Sequence, residues 1–212
     1  FIIELNKVLF SFSGICIMRL KKPVFLSVAV LAVFLTAGCM FFRAFDGIRL
    51  VIVNKALSDA EVKALADSLS KTFNLTVTQT TFSTTEDIGG SYKPVRGQHD
   101  ADEIIKMDPL FEGQGRREYI VVFVPGDIYA GEYAYLFMQT EGNLKRSVFG
   151  VLRLRANLTK TGNYDFKRSP LDRIYKLFLR RIGKLSGLES ECGPMGFSDS
   201  LEALDAMLLD YC

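Results

Sequence analysis

Arg173, Lys176, Arg180 and Lys184 stand three and four positions apart, and on a helix that spacing gathers them into one basic stripe. Such a stripe has two uses. It can hold an anion, whether phosphate, a lipid headgroup or an acidic peptide. It can equally be a solvated face, favoured by the C-terminal end of the helix dipole and paired with Glu189 or Glu191. The other chemistry-bearing residues are few. His99 is the single histidine in 212 residues, which excludes a three-imidazole zinc centre and most Ser-His-Asp arrangements. It could be a lone ligand or base, but no cluster surrounds it in sequence, which favours a surface or loop position. Cys16, Cys39, Cys192 and Cys212 are too scattered for a four-thiolate zinc knot. Cys192 and Cys212 could close a disulfide or remain free thiols. Tyr129, Tyr133, Tyr135 and Phe137 suit either a carbohydrate platform or a half-buried edge strand with its loop.

Composition narrows the classes further. With 49% hydrophobic and 24% charged residues, disorder, collagen and coiled coil are excluded. Lys and Arg number 26 against 24 Asp and Glu, so no global charge draws the chain to nucleic acid. Met18 is followed by Arg19, Lys21 and Lys22, then by an uncharged apolar run from Pro23 to Phe42. That order is the charged and apolar part of a secretory signal. It closes on Leu35-Thr36-Ala37-Gly38-Cys39, which resembles the lipobox of bacterial lipoproteins and implies a diacylglyceryl-modified Cys39. The expected division is residues 1–17 as upstream mistranslation, 18–38 as signal peptide, 39–46 as lipidated tether and 47–212 as one domain. A retained signal anchor is the alternative, since the run could just span a bilayer. Either way the remainder faces the envelope side, where disulfides are permitted. Met40 in place of Asp after the cysteine resembles an outer-membrane sorting signal, if the cell is diderm. Residues 1–38 hold four cations (Lys7, Arg19, Lys21, Lys22) and one anion (Glu4), so the mature part carries 22 cations against 23 anions.

The elements that must position the stripe follow from periodicity. Residues 49–54 read as a buried strand. Ser58 with Glu61 forms a capping box before Val62, Leu65, Leu69 and Phe73, and a second strand runs from Leu75 towards Phe82. A loop covers 83–98, a short helix 100–107, and Tyr119 to Val124 is apolar throughout, as a central strand would be. Further strands are expected over 133–139 and 147–154. Ser169-Pro170-Leu171-Asp172 opens the helix that carries the stripe, with Ile174, Phe178 and Ile182 inward and Gly187 as its stop. Asp199-Ser200-Leu201-Glu202 opens a last helix, with Leu201, Leu204 and Leu208 inward. The sum is a single α/β (α+β) domain: a mixed twisted sheet of about five strands with three or four helices.

Residues 180–190 resemble the metzincin zinc helix, His-Glu-x-x-His-x-x-Gly-x-x-His, through Gly183, Gly187 and Leu188. The more specific resemblance is to the archaemetzincins. It is carried by Tyr92, Arg96, Gln98, His99, Ala101 and Ile104-Ile105, by Gly126-Asp127-Ile128-Tyr129, by Ser147 to Leu154 ending in Arg153-Leu154, and by Met195 in the region of the Met-turn. It spans roughly residues 47–212. The resemblance implies a single metzincin-like domain, with zinc and peptide hydrolysis as the family's chemistry. The departures fall on the chemistry. Arg180 and Lys184 stand where the first two histidines belong, Arg181 where the general-base glutamate belongs, and Ser190 where the third histidine belongs. Cys192 and Cys212 are at most half of the family's second, four-cysteine zinc site, with Glu191 replacing another of its cysteines.

Cations cannot ligate zinc at neutral pH, and arginine cannot serve as a base there. The expectation is therefore an envelope lipoprotein without a cofactor, a non-catalytic binding or scaffolding module. Its partners would be the membrane, through the lipid anchor, and an anionic or peptide ligand, not nucleic acid. The alternative is a divergent metallopeptidase with non-standard ligands such as His99, Asp127, Glu189 and Glu191, a set that no spacing supports. A decaying gene product is the third reading.

Overall fold

The computed structural model describes residues 45–82, 86–158, 164–166, 168–185 and 200–207. Cys16, Cys39, Gly187, Glu189, Ser190, Glu191, Cys192, Met195, Asp199, Leu208 and Cys212 lie outside the described residues, as do the expected signal peptide and most of the tether. Among the described residues no helix is long and apolar enough to cross a membrane.

The strand β1 (Gly47–Val53) alternates its side chains between two faces, as the period of two requires. Leu50 and Ile52 enter one core, and Val51 and Val53 the other. Such a strand must be covered on both sides. On one side lies α1 (Asp59–Phe73), started by a complete capping box in which Ser58 Oγ accepts from Glu61 N and Glu61 Oε2 accepts from Ser58 N. It stops at Asn74, which takes the left-handed conformation, and leads into β2 (Thr76–Phe82). β2 lies parallel to β1, the usual outcome of a strand–helix–strand crossover. Beyond a 3-10 turn at Glu86–Ser91 come the short strands β3 (Tyr92–Lys93) and β4 (Gln98–Asp100). The Asp100 carboxylate then caps α2 (Ala101–Ile105) by accepting from the N–H groups of Asp102 and Glu103.

The strand β5 (Glu118–Val124), apolar from Tyr119 onward, takes the centre of the sheet, beside β1. Next come β6 (Ile128–Tyr129), β7 (Met138–Glu141) and β8 (Arg146–Gly150), then α3 (Val151–Leu154). A small ladder of β9 (Asn157–Leu158) and β10 (Tyr164–Asp165) precedes α4 (Leu171–Leu185), and α5 (Leu201–Ala206) follows. The main sheet has the order β2-β1-β5-β8-β7, parallel throughout except for β7 at its edge. Phe123, Phe149 and Phe178 stack under one face, joining β5 and β8 to α4. Ile104, Ile105, Leu110 and Phe111 cover the other face.

Two boundaries differ from the periodic reading. The apolar stretch 147–154 is strand only as far as Gly150 and then winds into α3. A Cβ on Gly150 would meet Ile128 Cγ1 at 3.0 Å, so the chain passes too close to β6 for a side chain there. The expected strand 133–139 forms a continuous ladder only from Met138; before it Leu136 makes a single antiparallel bridge to Ile128.

Glu61 joins two distant parts of this frame. Besides its cap, it receives both terminal nitrogens of Arg155 at 2.8 Å, and Arg155 also donates to Ala56 O. Arg155 thereby holds the Glu61 carboxyl below the ordinary glutamate range. Replacing Glu61→Gln is expected to lower unfolding free energy by about 2 kcal/mol at neutral pH. The unfolded chain binds the extra proton below the ordinary value of 4.5, so this stabilisation is complete above that pH and fades as pH falls. Urea titrations between acid and neutral pH should show the wild type losing its advantage over the variant in that direction. A constant difference would remove the pair from the pH account.

Candidate functional site

The basic stripe of α4 changes role along its length. Arg173 is only 2% exposed and Lys176 only 5%. A guanidinium out of water must place its N–H groups on acceptors, and Arg173 does so at the ends of two helices. Its Nη1 donates to Leu154 O and Ala156 O, just past α3, while Nε and Nη2 grip Asp205 of α5 at 2.7 and 2.6 Å. Lys176 Nζ donates to Leu204 O and Asp205 O, the last carbonyls of α5, and lies 3.2 Å from Asp172. These two cations are helix C-caps. They fasten α5 to α4 and are turned away from solvent.

The second half of the stripe opens on a cleft of about 650 Å³. Arg180, Arg181, Lys184 and Leu177 form its helical side; residues 133–140, from the surface turn into β7, form the other. Arg181 is fixed by donating from Nε to Tyr119 Oη at 3.3 Å, and Tyr119 shares a 2.5 Å hydrogen bond with Ser147. Its guanidinium also lies against Gly142, where an added Cβ would come within 2.9 Å of Nη2. Burial pulls the Arg180 pKa below the usual arginine value. Lys184 is also pulled down, first by the charge of Arg180, then by burial and by Arg181. Asp102 is the carboxylate among the described residues of the cleft, and its Oδ1 already accepts from Gln139 at 2.8 Å.

A network of polar side chains shapes the rim. Gln98 donates to Ala134 O at 2.9 Å and to Asp127 Oδ2 at 3.2 Å. Arg153 Nε donates to the same Asp127 oxygen at 2.5 Å while its guanidinium covers the Tyr135 ring. Arg96 donates to Tyr133 O and lies over the Tyr129 ring. The tyrosines singled out by sequence are thus divided. Tyr133 is 67% exposed, Tyr129 is buried, and Tyr135 meets Phe137 edge to face. Sequence reasoning missed Asp102, Gln139 and Tyr119 as parts of the site. Nothing in their spacing marks them, since each reaches α4 or the rim across the sheet.

His99 and Asp127 are neighbours through main chain, with His99 N donating to Asp127 O at 2.9 Å. Their side chains are engaged separately. Ser91 Oγ donates to Ile88 O, so it accepts from His99 Nδ1 at 3.0 Å, and burial lowers the His99 pKa. Zinc requires deprotonated nitrogen, sulfur or oxygen donors. The two described helix positions where imidazoles would stand hold a guanidinium and an ammonium, and no three His, Cys, Asp or Glu gather among the described residues. These residues do not fit zinc.

No protein-family model matches the sequence, and no curated protein does either. Solved structures do match the fold. An archaemetzincin from Archaeoglobus fulgidus, crystallised with malonate, is 24% identical, with 78% of this chain and 95% of that one covered and a TM-score of 0.58. An archaemetzincin from Methanopyrus kandleri is 20% identical, covering 80% and 90%, with a TM-score of 0.59. A zinc-dependent peptidase from Methanocorpusculum labreanum is 20% identical, covering 78% and 96%, also at 0.59.

The two halves of the stripe should respond oppositely to neutralisation. Arg173→Met is expected to cost about 3 kcal/mol, because it orphans two carbonyls and takes from Asp205 one of its two guanidinium partners. Lys184→Gln is expected to change stability by less than about 0.5 kcal/mol, or to raise it, since it relieves repulsion. Urea unfolding of both variants tests this, and equal losses would refute the division.

Proposed function

We propose that this chain, whose fold is archaemetzincin-like, is a non-catalytic recognition module that keeps the cleft and has exchanged metal chemistry for cation chemistry. The observation that carries this reading is the placement of Arg180, Arg181 and Lys184 along one cleft. The same i, i+4 geometry that would aim two imidazoles at an ion here aims two cations at the same space. A fixed guanidinium can bind and orient an anionic group but cannot take a proton from water at neutral pH. The cleft therefore holds a partner bearing negative charge, an acidic peptide or a smaller anion, and leaves its bonds intact. Arg96, Gln98, Asp127 and Arg153 support the reading in another way. They shape the rim without a metal, so the cleft persists when zinc ligands are absent.

Metal content measured by mass spectrometry on the full chain, purified without chelators, is expected to be near zero, with no hydrolysis of a mixed peptide library. About one zinc per chain together with peptide cleavage would overturn the reading and favour the non-standard ligand set.

The second part of the proposal concerns location. The Leu35-Thr36-Ala37-Gly38-Cys39 segment supports a lipid anchor on Cys39 and a place in the bacterial envelope, at the outer membrane in a diderm cell. Cells fed radiolabelled palmitate should label the wild-type chain and leave Cys39→Ser unlabelled. Equal labelling of the two would eliminate Cys39 as the anchor.

A further inference from the structure

Phe45 fixes the point at which the chain enters the domain. It is buried, and its ring lies 5.2 Å from that of Tyr119. Asp46 then donates from N to Arg117 O at 2.8 Å and pairs with the Arg117 guanidinium at 3.0 Å. Since β1, β2, β5 and β8 run parallel in register, Gly47, Thr76, Glu118 and Arg146 all lie at this end of the sheet. Cys39 is six residues before Phe45, a reach of at most about 21 Å. A compact domain of the length 45–212 is roughly 40 Å across. A lipid on Cys39 therefore cannot bring the opposite end of the sheet to the bilayer.

We propose that the turns at 113–117 and 142–145 form a membrane-contact surface, with Leu144 entering the headgroup boundary and Arg116 reaching lipid phosphates. This rests on the reading of Cys39 as the lipid anchor and adds the orientation in which the anchor holds the domain. The two turns are braced against each other: Gln114 Nε2 donates to Leu144 O at 2.9 Å, and Lys145 Nζ donates to Arg116 O at 2.9 Å. On that frame Leu144 is 44% exposed and Arg116 is exposed. One exposed leucine is ordinary by itself. Here it stands at the end to which the tether is confined, beside a long cationic side chain, which is the pairing that suits a bilayer interface. The contact does not depend on net charge, since Asp46 and Glu118 pair with Arg117 and Arg49 and Glu112 is exposed nearby. Val95 is fully exposed too, but its turn leads into β4, which pairs with β6 just past the carboxyl end of β5. That end, with the rim of Gln98, Asp127 and Arg153, faces water and a soluble partner.

The chain has no tryptophan, so a single substitution supplies a single fluorophore. Leu144→Trp and Val95→Trp, made as full chains in a bacterium that lipidates its lipoproteins, are reconstituted into vesicles of phosphatidylethanolamine and phosphatidylglycerol. Bromines placed on the acyl chains near the headgroups quench an indole that enters the boundary. Emission of Leu144→Trp is expected to fall by about half against unbrominated vesicles, while that of Val95→Trp stays unchanged. Arg116→Trp, on the neighbouring turn, reports the same contact if circular dichroism shows Leu144→Trp to be unfolded. Quenching of Val95→Trp as strong as that at the two turns would overturn the orientation. So would unquenched turns in a chain that floats with the vesicles and carries palmitate, a result that leaves the anchor standing. A chain that takes up no palmitate loses both the anchor and the orientation.

Discussion

A buried guanidinium is tolerated only where every donor finds an acceptor, and Arg173 imposes that demand on the C-terminal half of the domain. Its acceptors are the open end of α3, the carbonyl of Ala156 and the carboxylate of α5. None of these can move far without stranding a charge. Lys176 adds the last carbonyls of α5 one turn along, and Arg168 reaches the same Asp205 at 2.8 Å. Arg173 and Arg168 hold Asp205 below the ordinary aspartate range, with Arg173 the largest cause. Helix α4 is thus clamped at its N-terminal half, which fixes the direction in which its C-terminal half meets the edge of the sheet.

Once α4 is fixed, the cleft follows from helical geometry and from the edge strand. Residues 180 and 184 share a face because they are four apart, and residue 181 lies to the side, where it reaches Tyr119 on the central strand. β7 is antiparallel and pairs only with β8, so the turn leading into it at residues 133–137 supplies the opposite wall. A constellation of imidazoles would use this geometry to converge on an ion. Here the same geometry brings two guanidiniums and an ammonium to one wall of a partly apolar space.

Much of the fold was legible because its signals are local. The capping box at Ser58 and Glu61, the alternation in β1 and the uninterrupted apolar run of β5 each predict their own element. Gly150 shows the limit. A Cβ there would meet Ile128, and that neighbour is 22 positions earlier, so the need for glycine is not a local signal. The basic stripe shows the same limit at the site. Spacing correctly places four cations in one row, but it cannot say that α5 covers the first two, since Leu204 and Asp205 come from a different helix.

Gln98, Asp127 and Arg153 bond to each other and to the backbone of the rim, and none of them needs a metal to justify its position. His99 next to them is buried and hydrogen-bonded to Ser91, a packing role that a histidine fills without ever meeting an ion. The recognisable segments are therefore those whose work is architectural. The rim is held by side chains on β4, on α3 and just before β6, and that arrangement needs no metal.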